Sequence, residues 1–532
     1  MADAPKKQSF LHGTMLLALS TAIVKVIGAF YSIPLNAIIG EQGFGYYNTA
    51  YEIYTVLLMI STAGLPVAMS RMISQASSLG QWQQVRKIYT VARTIFLTLG
   101  LIGAVLMTLF CKQLARFQEQ PDAWAAIGAL GPSAFLICLM STFRGFFQGQ
   151  SNMGPTSTSQ VIEAIVKLVV GISAAVLVLF YTQSISLAAG AAIFGVTISC
   201  LVSSLYLGYC FRKAYRDLPE DLGGEVTSGK EIAKGLLAIA IPITIGSAGL
   251  QILTVLETKI YMSQLLQTLT QDQADIQKGI YNMTQKIFNM PCAFITPITI
   301  SVIPAITAQL TRGDHSAVKA TEESAVRVTG LISAPCAVGL AVLAEPITGL
   351  LGGYTGEKLE LAGSLMLVLG ICIVFNALVL LTNAMMQAHG HVNLPVVHMF
   401  IGGLIKLAAV FILTGNPNIG ILGTPIGSLL CYISITVLNL IAIRRVLPEA
   451  PAVVKNLLRS LLAAALMGVV VFGTYWGITT VLPGVSRIVS CGGPIAVGVV
   501  VYVIGVVKFK AITREDCLLL PKGQKIADLL KL

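Results

Sequence analysis

The chain of 532 residues is 55% hydrophobic and only 11% charged, with a mean hydropathy of +0.80. Soluble domains carry roughly 25% charged residues, so a soluble fold is excluded and the chain reads as an all-α integral membrane protein. The net charge of +11 does not indicate nucleic acid: the basic residues are spread thinly over loops such as Arg86-Lys87, Arg212-Lys213 and Arg444-Arg445, with no basic face interleaved with aromatics. Attraction to anionic membrane lipids accounts for that pattern.

Apolar segments long enough to cross a bilayer follow one another at 10–39, 46–72, 91–111, 123–147, 157–180, 184–211 and 233–258. The series continues at 279–310, 324–344, 360–387, 394–413, 420–443, 457–482 and 489–507, fourteen in all. The first is too long for a signal-peptide core and shows no cleavage site, so it is expected to be a retained helix. With both termini cytoplasmic, about 25 of the 35 Lys and Arg lie on the inner side and about 5 outside, as the positive-inside rule requires. Of the remaining five, Lys25, Lys167, Lys286 and Lys406 fall within the spans and Lys259 at the end of one. The longest polar stretches are Arg71–Arg93, Arg212–Lys234 and the outer Tyr261–Lys278. None reaches the ~50 residues of a separate domain, so function is expected inside the bilayer of the cell membrane.

An internal repeat is visible. Gln148-x6-Pro155-x11-Lys167 recurs as Gln387-x7-Pro395-x10-Lys406. Tyr47-Asn48-x4-Ile53-Tyr54 recurs as Tyr281-Asn282-x4-Ile287-Phe288, and Leu65-Pro66-Val67-Ala68 as Ile303-Pro304-Ala305-Ile306. Near-constant spacing of three echoes in chain order predicts two pseudo-symmetric seven-helix lobes, inverted relative to one another around a central cavity. The boundaries are an N-terminal lobe 1–222, a second lobe 223–455, and a last pair of helices with a basic cytoplasmic tail, 456–532.

Charge at membrane depth is a functional hypothesis by default. The second echo sets Glu52 opposite Lys286; helix 1 adds Lys25, and helix 7 adds Glu257 and Lys259. Each has a plain alternative as a structural ion pair, and Lys259, near a span end, as a snorkelling side chain. Lys167 follows Glu163 by four residues, a spacing that suits a structural pair, and it reads with Lys406 as a feature of the repeat. Arg144, framed by Phe143, Gly145 and Phe146, and Arg71, after Pro66-Val67-Ala68-Met69-Ser70, read as cytoplasmic anchors or as grips for a lipid phosphate. His389 and His391 have no carboxylate near them in sequence, so they read as helix-end residues and not as a metal site. The ten cysteines show no CxxC pair and read as buried small hydrophobes. No GxxxxGK[ST], HExxH, GxSxG or DDxxD-like cluster occurs. A secondary transporter without cofactor is expected, driven by a coupling ion (Na+ or H+), the membrane potential or consumption of product.

The run Gly13-Thr14, Lys25-Val26-Ile27-Gly28, Ile33-Pro34-Leu35, Gly40-x2-Gly43-x-Gly45 and Gly64–Arg71 resembles the polysaccharide-transporter branch of the MOP flippase superfamily. Within it the likeness is to the stage V sporulation protein B and MurJ-type lipid II flippase families, and it extends through Phe143–Pro155 and Tyr281–Pro304. The resemblance implies a fourteen-helix transporter with alternating access that carries an undecaprenyl-pyrophosphate-linked sugar, with cell-wall synthesis or sporulation proteins as partners. It also implies that cations of helices 1 and 8 engage the head group. Lys25 and Lys286 match those positions, whereas the second helix-1 cation falls near Tyr31, a departure from the pattern. In this scheme Lys25 and Lys286 bind the pyrophosphate, Glu52 and Glu257 pair with them or bind a coupling cation, and the thirteenth and fourteenth spans form a groove for the lipid tail. Two rival readings stand beside it: a cation-coupled multidrug exporter of the MATE type, expected to carry acids in its cavity, and a membrane-embedded glycan polymerase or ligase, expected to carry a larger outer loop.

Overall fold

The computed structural model describes residues 10–219, 221, 226–447, 450–482, 484, 486–513 and 516. Nearly all of them are helical, with no strand among the described residues. In order the helices are α1 (Phe10–Met59), α2 (Leu65–Ser78), α3 (Trp82–Leu109), α4 (Cys111–Phe117), α5 (Trp124–Gly149), α6 (Gly154–Thr182), α7 (Ile185–Arg216) and α8 (Gly229–Leu265). They continue as α9 (Gln271–Thr311), α10 (His315–Val342), α11 (Ala344–Gly352), α12 (Glu357–Ala388), α13 (Asn393–Thr414), α14 (Gly423–Val446), α15 (Val453–Val481) and α16 (Arg487–Lys508).

Breaks fall where local chemistry demands them. Inside α1, Gly40 takes φ 68° and ψ 177°, a backbone conformation that glycine alone adopts without strain. Between α1 and α2 the chain makes a π-turn at Ile60–Gly64. Pro66 lacks an N–H and its ring crowds the carbonyl four residues back, and a widened turn relieves both conflicts. Ser184 and Asp314 cap α7 and α10, and Ser228 with Glu231 forms a capping box on α8.

Among the described residues, twelve helices are long and apolar enough to cross a membrane. The count differs from the fourteen spans of the sequence at two places. The first two spans run together as Phe30–Ser78, and α9 is a continuous helix outside the twelve. Fourteen crossings remain compatible with these helices.

By packing, the chain forms two compact units, Met1–Gly279 and Ile280–Leu532. The division falls inside α9, past α8, because α8 packs against α1, α2 and α3. The lobes 1–222, 223–455 and 456–532 rest on a different criterion, the repeat and the basic loop. Within the first unit small residues let helices touch: a Cβ added at Gly195 would lie 2.6 Å from the Gly171 Cα, and one at Gly100 would lie 2.7 Å from the Cys138 Cβ. The second unit uses the same device, with Gly370 against Ala337 and Ala341 and Gly505 against Ala463. The repeat is visible in this packing. Gly195 of α7 sits against the Lys167 carbonyl of α6, and Gly427 of α14 sits against the Lys406 carbonyl of α13. Outer faces stay apolar, as with Leu101, Ile102 and Val105 on α3 and Val499, Val500 and Ile504 on α16.

Candidate functional site

A polar cluster of the first unit is built on α1, α8, the Glu119–Gln120 turn and the first turns of α9. Lys278 is wholly enclosed: its side chain has no exposed surface. Its Nζ donates to Thr49 Oγ1, lies 3.9 Å from Glu52 Oε2 and sits 5.9 Å over the Tyr261 ring. Glu52 Oε2 also accepts from Thr258 at 2.8 Å. One turn before Lys278, Asp275 accepts from Gln120 Nε2 (2.8 Å), Tyr46 OH (3.1 Å) and Gln271 Nε2 (3.1 Å). The Thr49 hydroxyl reaches Gln120 Oε1 and ties the two halves of the cluster together.

Glycine makes the approach of α9 to α1 geometrically available. A Cβ at Gly279 would lie 1.8 Å from the Glu41 carbonyl oxygen, and one at Gly45 would lie 3.3 Å from the Asp275 carbonyl oxygen. Backbone therefore meets backbone, and the side chains one turn away interlock. Here one ammonium faces two carboxylates, so uptake of a single proton leaves the set neutral. Such a set holds charge in a dry environment only while each member keeps its partners.

The residues singled out in the sequence fall as follows. The Lys25 side chain lies outside the described residues. Glu52 stands in the cluster above. Glu257, on the same turn of α8 as Thr258, is buried at 4% exposure. Lys259 pairs with Glu119 and lies 5.6 Å from the centre of the Phe117 ring, at the partly exposed rim. Lys286 lies on the part of α9 that belongs to the second unit. Arg71 on α2 is exposed. Arg144 on α5 is not: its Nη2 meets Glu163 Oε2 at 3.0 Å and its Nε donates to Ser159 Oγ at 3.2 Å. Glu163 thus serves Arg144 across the α5–α6 turn, and not Lys167 four residues on. Lys167 lies between tyrosine rings, 5.2 Å from the Tyr31 centroid and 5.0 Å from that of Tyr51.

Three features escape the sequence reading. Polarity assigns Asp275 and Lys278 to an outer loop; the i,i+3 acid–base spacing ahead of Gly279 is the signal that points inward. His389 does have a carboxylate neighbour, since its Nε2 lies 3.0 Å from Oε1 of the buried Glu322, a partner 67 residues away. Burial holds the His389 imidazole below its ordinary pKa, with His391 and His315 adding to the effect. In the second unit, Arg327 makes a bidentate pair with the enclosed Asp516 (2.7 and 2.8 Å), which also accepts from Ser324 and from the Thr513 N–H and hydroxyl. Ala511 and Ile512 are buried beside it against Ala463 and Val506.

A family model described as polysaccharide biosynthesis protein matches residues 10–310, and one described as MatE matches residues 279–412. Stage V sporulation protein B of Bacillus subtilis (strain 168) is 25% identical over 521 residues, covering 97% of this chain and 98% of the relative. Lipid II flippase MurJ of the same organism is 25% identical over 487 residues, covering 88% of each chain. Among solved structures, Lipid II flippase MurJ in an inward closed conformation superposes with a TM-score of 0.72 at 15% identity, over 93% of this chain and 98% of that one. An inward-facing multidrug resistance MATE family transporter of the MOP superfamily gives 0.64 at 15% identity, over 82% and 98%. At that identity the two structures establish a shared fold.

Proposed function

The chain belongs to the polysaccharide biosynthesis protein family, and from that premise we propose that it is a flippase for an undecaprenyl-pyrophosphate-linked glycan. The cargo would be a lipid II-like precursor of cell wall or spore cortex, moved across the cytoplasmic membrane by alternating access. Likeness to flippases and exporters along the chain, with twelve helices among the described residues long and apolar enough to cross a membrane, makes this a multi-pass membrane transporter rather than an enzyme. The finer reading is carried by one observation, the likeness over 88% of each chain to a protein named Lipid II flippase. The sign of the intramembrane charge supports it, since Lys25, Lys167, Lys286 and Lys406 outnumber Glu52, Glu163 and Glu257 in the spans. An anionic head group gains from that excess where water is scarce.

In this reading Lys25 and Lys286 bind the pyrophosphate. Glu52, held by Lys278 and Thr258, and Glu257 set the local charge and take a coupling cation, and Lys259, paired with Glu119, adds positive charge for the head group. Arg71, exposed on α2, is the side chain free to meet a lipid phosphate at the cytoplasmic gate, while the Arg144 fork is engaged by Glu163. Transport is driven by Na+, H+ or the membrane potential, the termini are cytoplasmic, and cell-wall or sporulation proteins consume the product.

The test is complementation of a cell depleted of its lipid II flippase, following growth and exposure of the precursor at the outer leaflet. Rescue by the wild type and loss of rescue in both Lys25→Ala and Lys286→Ala, with membrane insertion intact, is the expected result. Growth with both single variants would refute the cation site; no rescue by well-expressed wild type would refute the lipid II assignment. The match of residues 279–412 to the MatE model supports a second reading, drug export. It requires energy-dependent efflux of a cationic dye, which the flippase reading does not.

A further inference from the structure

Lys167 stands near the middle of α6, roughly 20 Å from both ends at about 1.5 Å per residue, too far for its side chain to snorkel to an interface. Its expected acidic neighbour, Glu163, is engaged by Arg144 at 3.0 Å. Among the described residues Lys167 makes no salt bridge; its close neighbours are the faces of Tyr31 and Tyr51 at 5.2 and 5.0 Å. Both rings belong to a file along α1 in which Tyr31, Tyr47, Tyr51 and Tyr54 follow at centroid spacings of 6.0, 6.3 and 5.8 Å. Ring faces attract an ammonium without neutralising it, so the full positive charge stays available.

The direction in which that charge opens is fixed by the helix. The lipid-facing side of α6 carries Ile165, Val169 and Val176, which are 48%, 57% and 46% exposed. Lys167 is two positions from Ile165 and from Val169, about 200° of turn, which puts the lysine on the opposite side of α6, toward α1. It is partly exposed there. A structural lysine at this depth would be sealed or paired, as Lys278 is.

We propose that Lys167 is an anion-binding residue of the first unit that takes the phosphate-class head group of an amphiphile, with Tyr31 and Tyr51 as positioning residues that hold its ammonium on the inner face. The proposal deepens the flippase reading and rests on it only for the identity of the amphiphile. The same chemistry would recognise a polyprenyl pyrophosphate or an anionic phospholipid.

The experiment uses the full-length protein in neutral detergent and native mass spectrometry, with undecaprenyl pyrophosphate and phosphatidylglycerol as separate probes. Lys167→Gln is expected to lower occupancy by about tenfold or more, the loss of one charge-assisted contact, while Lys167→Arg keeps most of it. Loss confined to undecaprenyl pyrophosphate identifies the transported lipid as the source, and loss for both probes identifies a general phospholipid head-group site. Equal binding by wild type and Lys167→Gln, or no binding of either probe by the wild type, overturns the proposal. A second measurement needs no variant: wild-type Lys167 is labelled with a lysine-acylating reagent and quantified by peptide mass spectrometry. Protection by either probe is expected, and unchanged labelling overturns the proposal. A well-expressed wild type that fails to complement yet binds phosphatidylglycerol through Lys167 would refute the lipid II assignment and leave this site standing.

Discussion

Lys278→Met keeps the length and apolar bulk of the side chain and removes the one ammonium facing Glu52 and Asp275. Taking one partner from a buried ion pair costs ~3–5 kcal/mol. The lower end applies here, because Glu52 retains the Thr258 hydroxyl at 2.8 Å and Asp275 retains three donors within 3.1 Å. A loss of about 3 kcal/mol corresponds to a fall of about 6–10 °C in the thermal midpoint of a unit of this size. Adding Glu52→Gln removes the stranded charge while Thr258 can still donate to the amide oxygen. The double variant should therefore recover about half of the loss, a coupling of the size expected for groups in one network. The assay is thermal unfolding of detergent-solubilised protein followed by size exclusion, run on wild type, both single variants and the double. A Lys278→Met midpoint within about 2 °C of wild type would show that the enclosed ammonium stabilises nothing. A double variant no better than Lys278→Met would break the claimed pairing with Glu52.

Asp516 yields a pH prediction. Burial raises its pKa, but hydrogen bonds from Arg327, Ser324 and Thr513 outweigh that effect and hold the carboxyl below its ordinary range. A depressed folded-state value means that the contribution is fully present at neutral pH and is lost as pH falls through that value. Hydrogen exchange of residues 509–513 should therefore rise below the ordinary aspartate range, and Asp516→Asn should show the raised exchange at neutral pH; unchanged exchange in that variant would refute the clamp. At Gly64, a Cβ would lie 2.3 Å from the Ala240 carbonyl oxygen and 2.4 Å from Thr244 Oγ1. Gly64→Ala should cost about 1–3 kcal/mol by forcing α8 away from the π-turn, and a wild-type midpoint in the same thermal assay would show that the contact is loose.

Crossing helices and the membrane setting were legible in the sequence because they depend on hydropathy, which a linear window reads directly, whereas the repeat was read from spaced residue echoes. Gln148 does lie at the end of α5 and Pro155 at the start of α6, as Gln387 lies at the end of α12 and Pro395 at the start of α13. Which charge meets which was less legible, because partners are chosen across helices. Glu163 has Lys167 at the favourable i,i+4 spacing, yet it goes to Arg144, 19 residues back, whose fork reaches over the tight α5–α6 turn and binds Ser159 as well. The same holds for Glu322 with His389 and for Arg327 with Asp516, which lie 67 and 189 residues apart. Lys278 escaped for another reason: its segment is polar enough to read as loop, and the close backbone approach of Gly279 to Glu41, with the hydrogen bonds to Thr49, Tyr46 and Gln120, brings that polar turn inside the bundle. Pairing by tertiary contact also decides which charges remain. Once Glu163 serves Arg144, the acid nearest to Lys167 in sequence is taken, and the lysine is held by the faces of Tyr31 and Tyr51 instead.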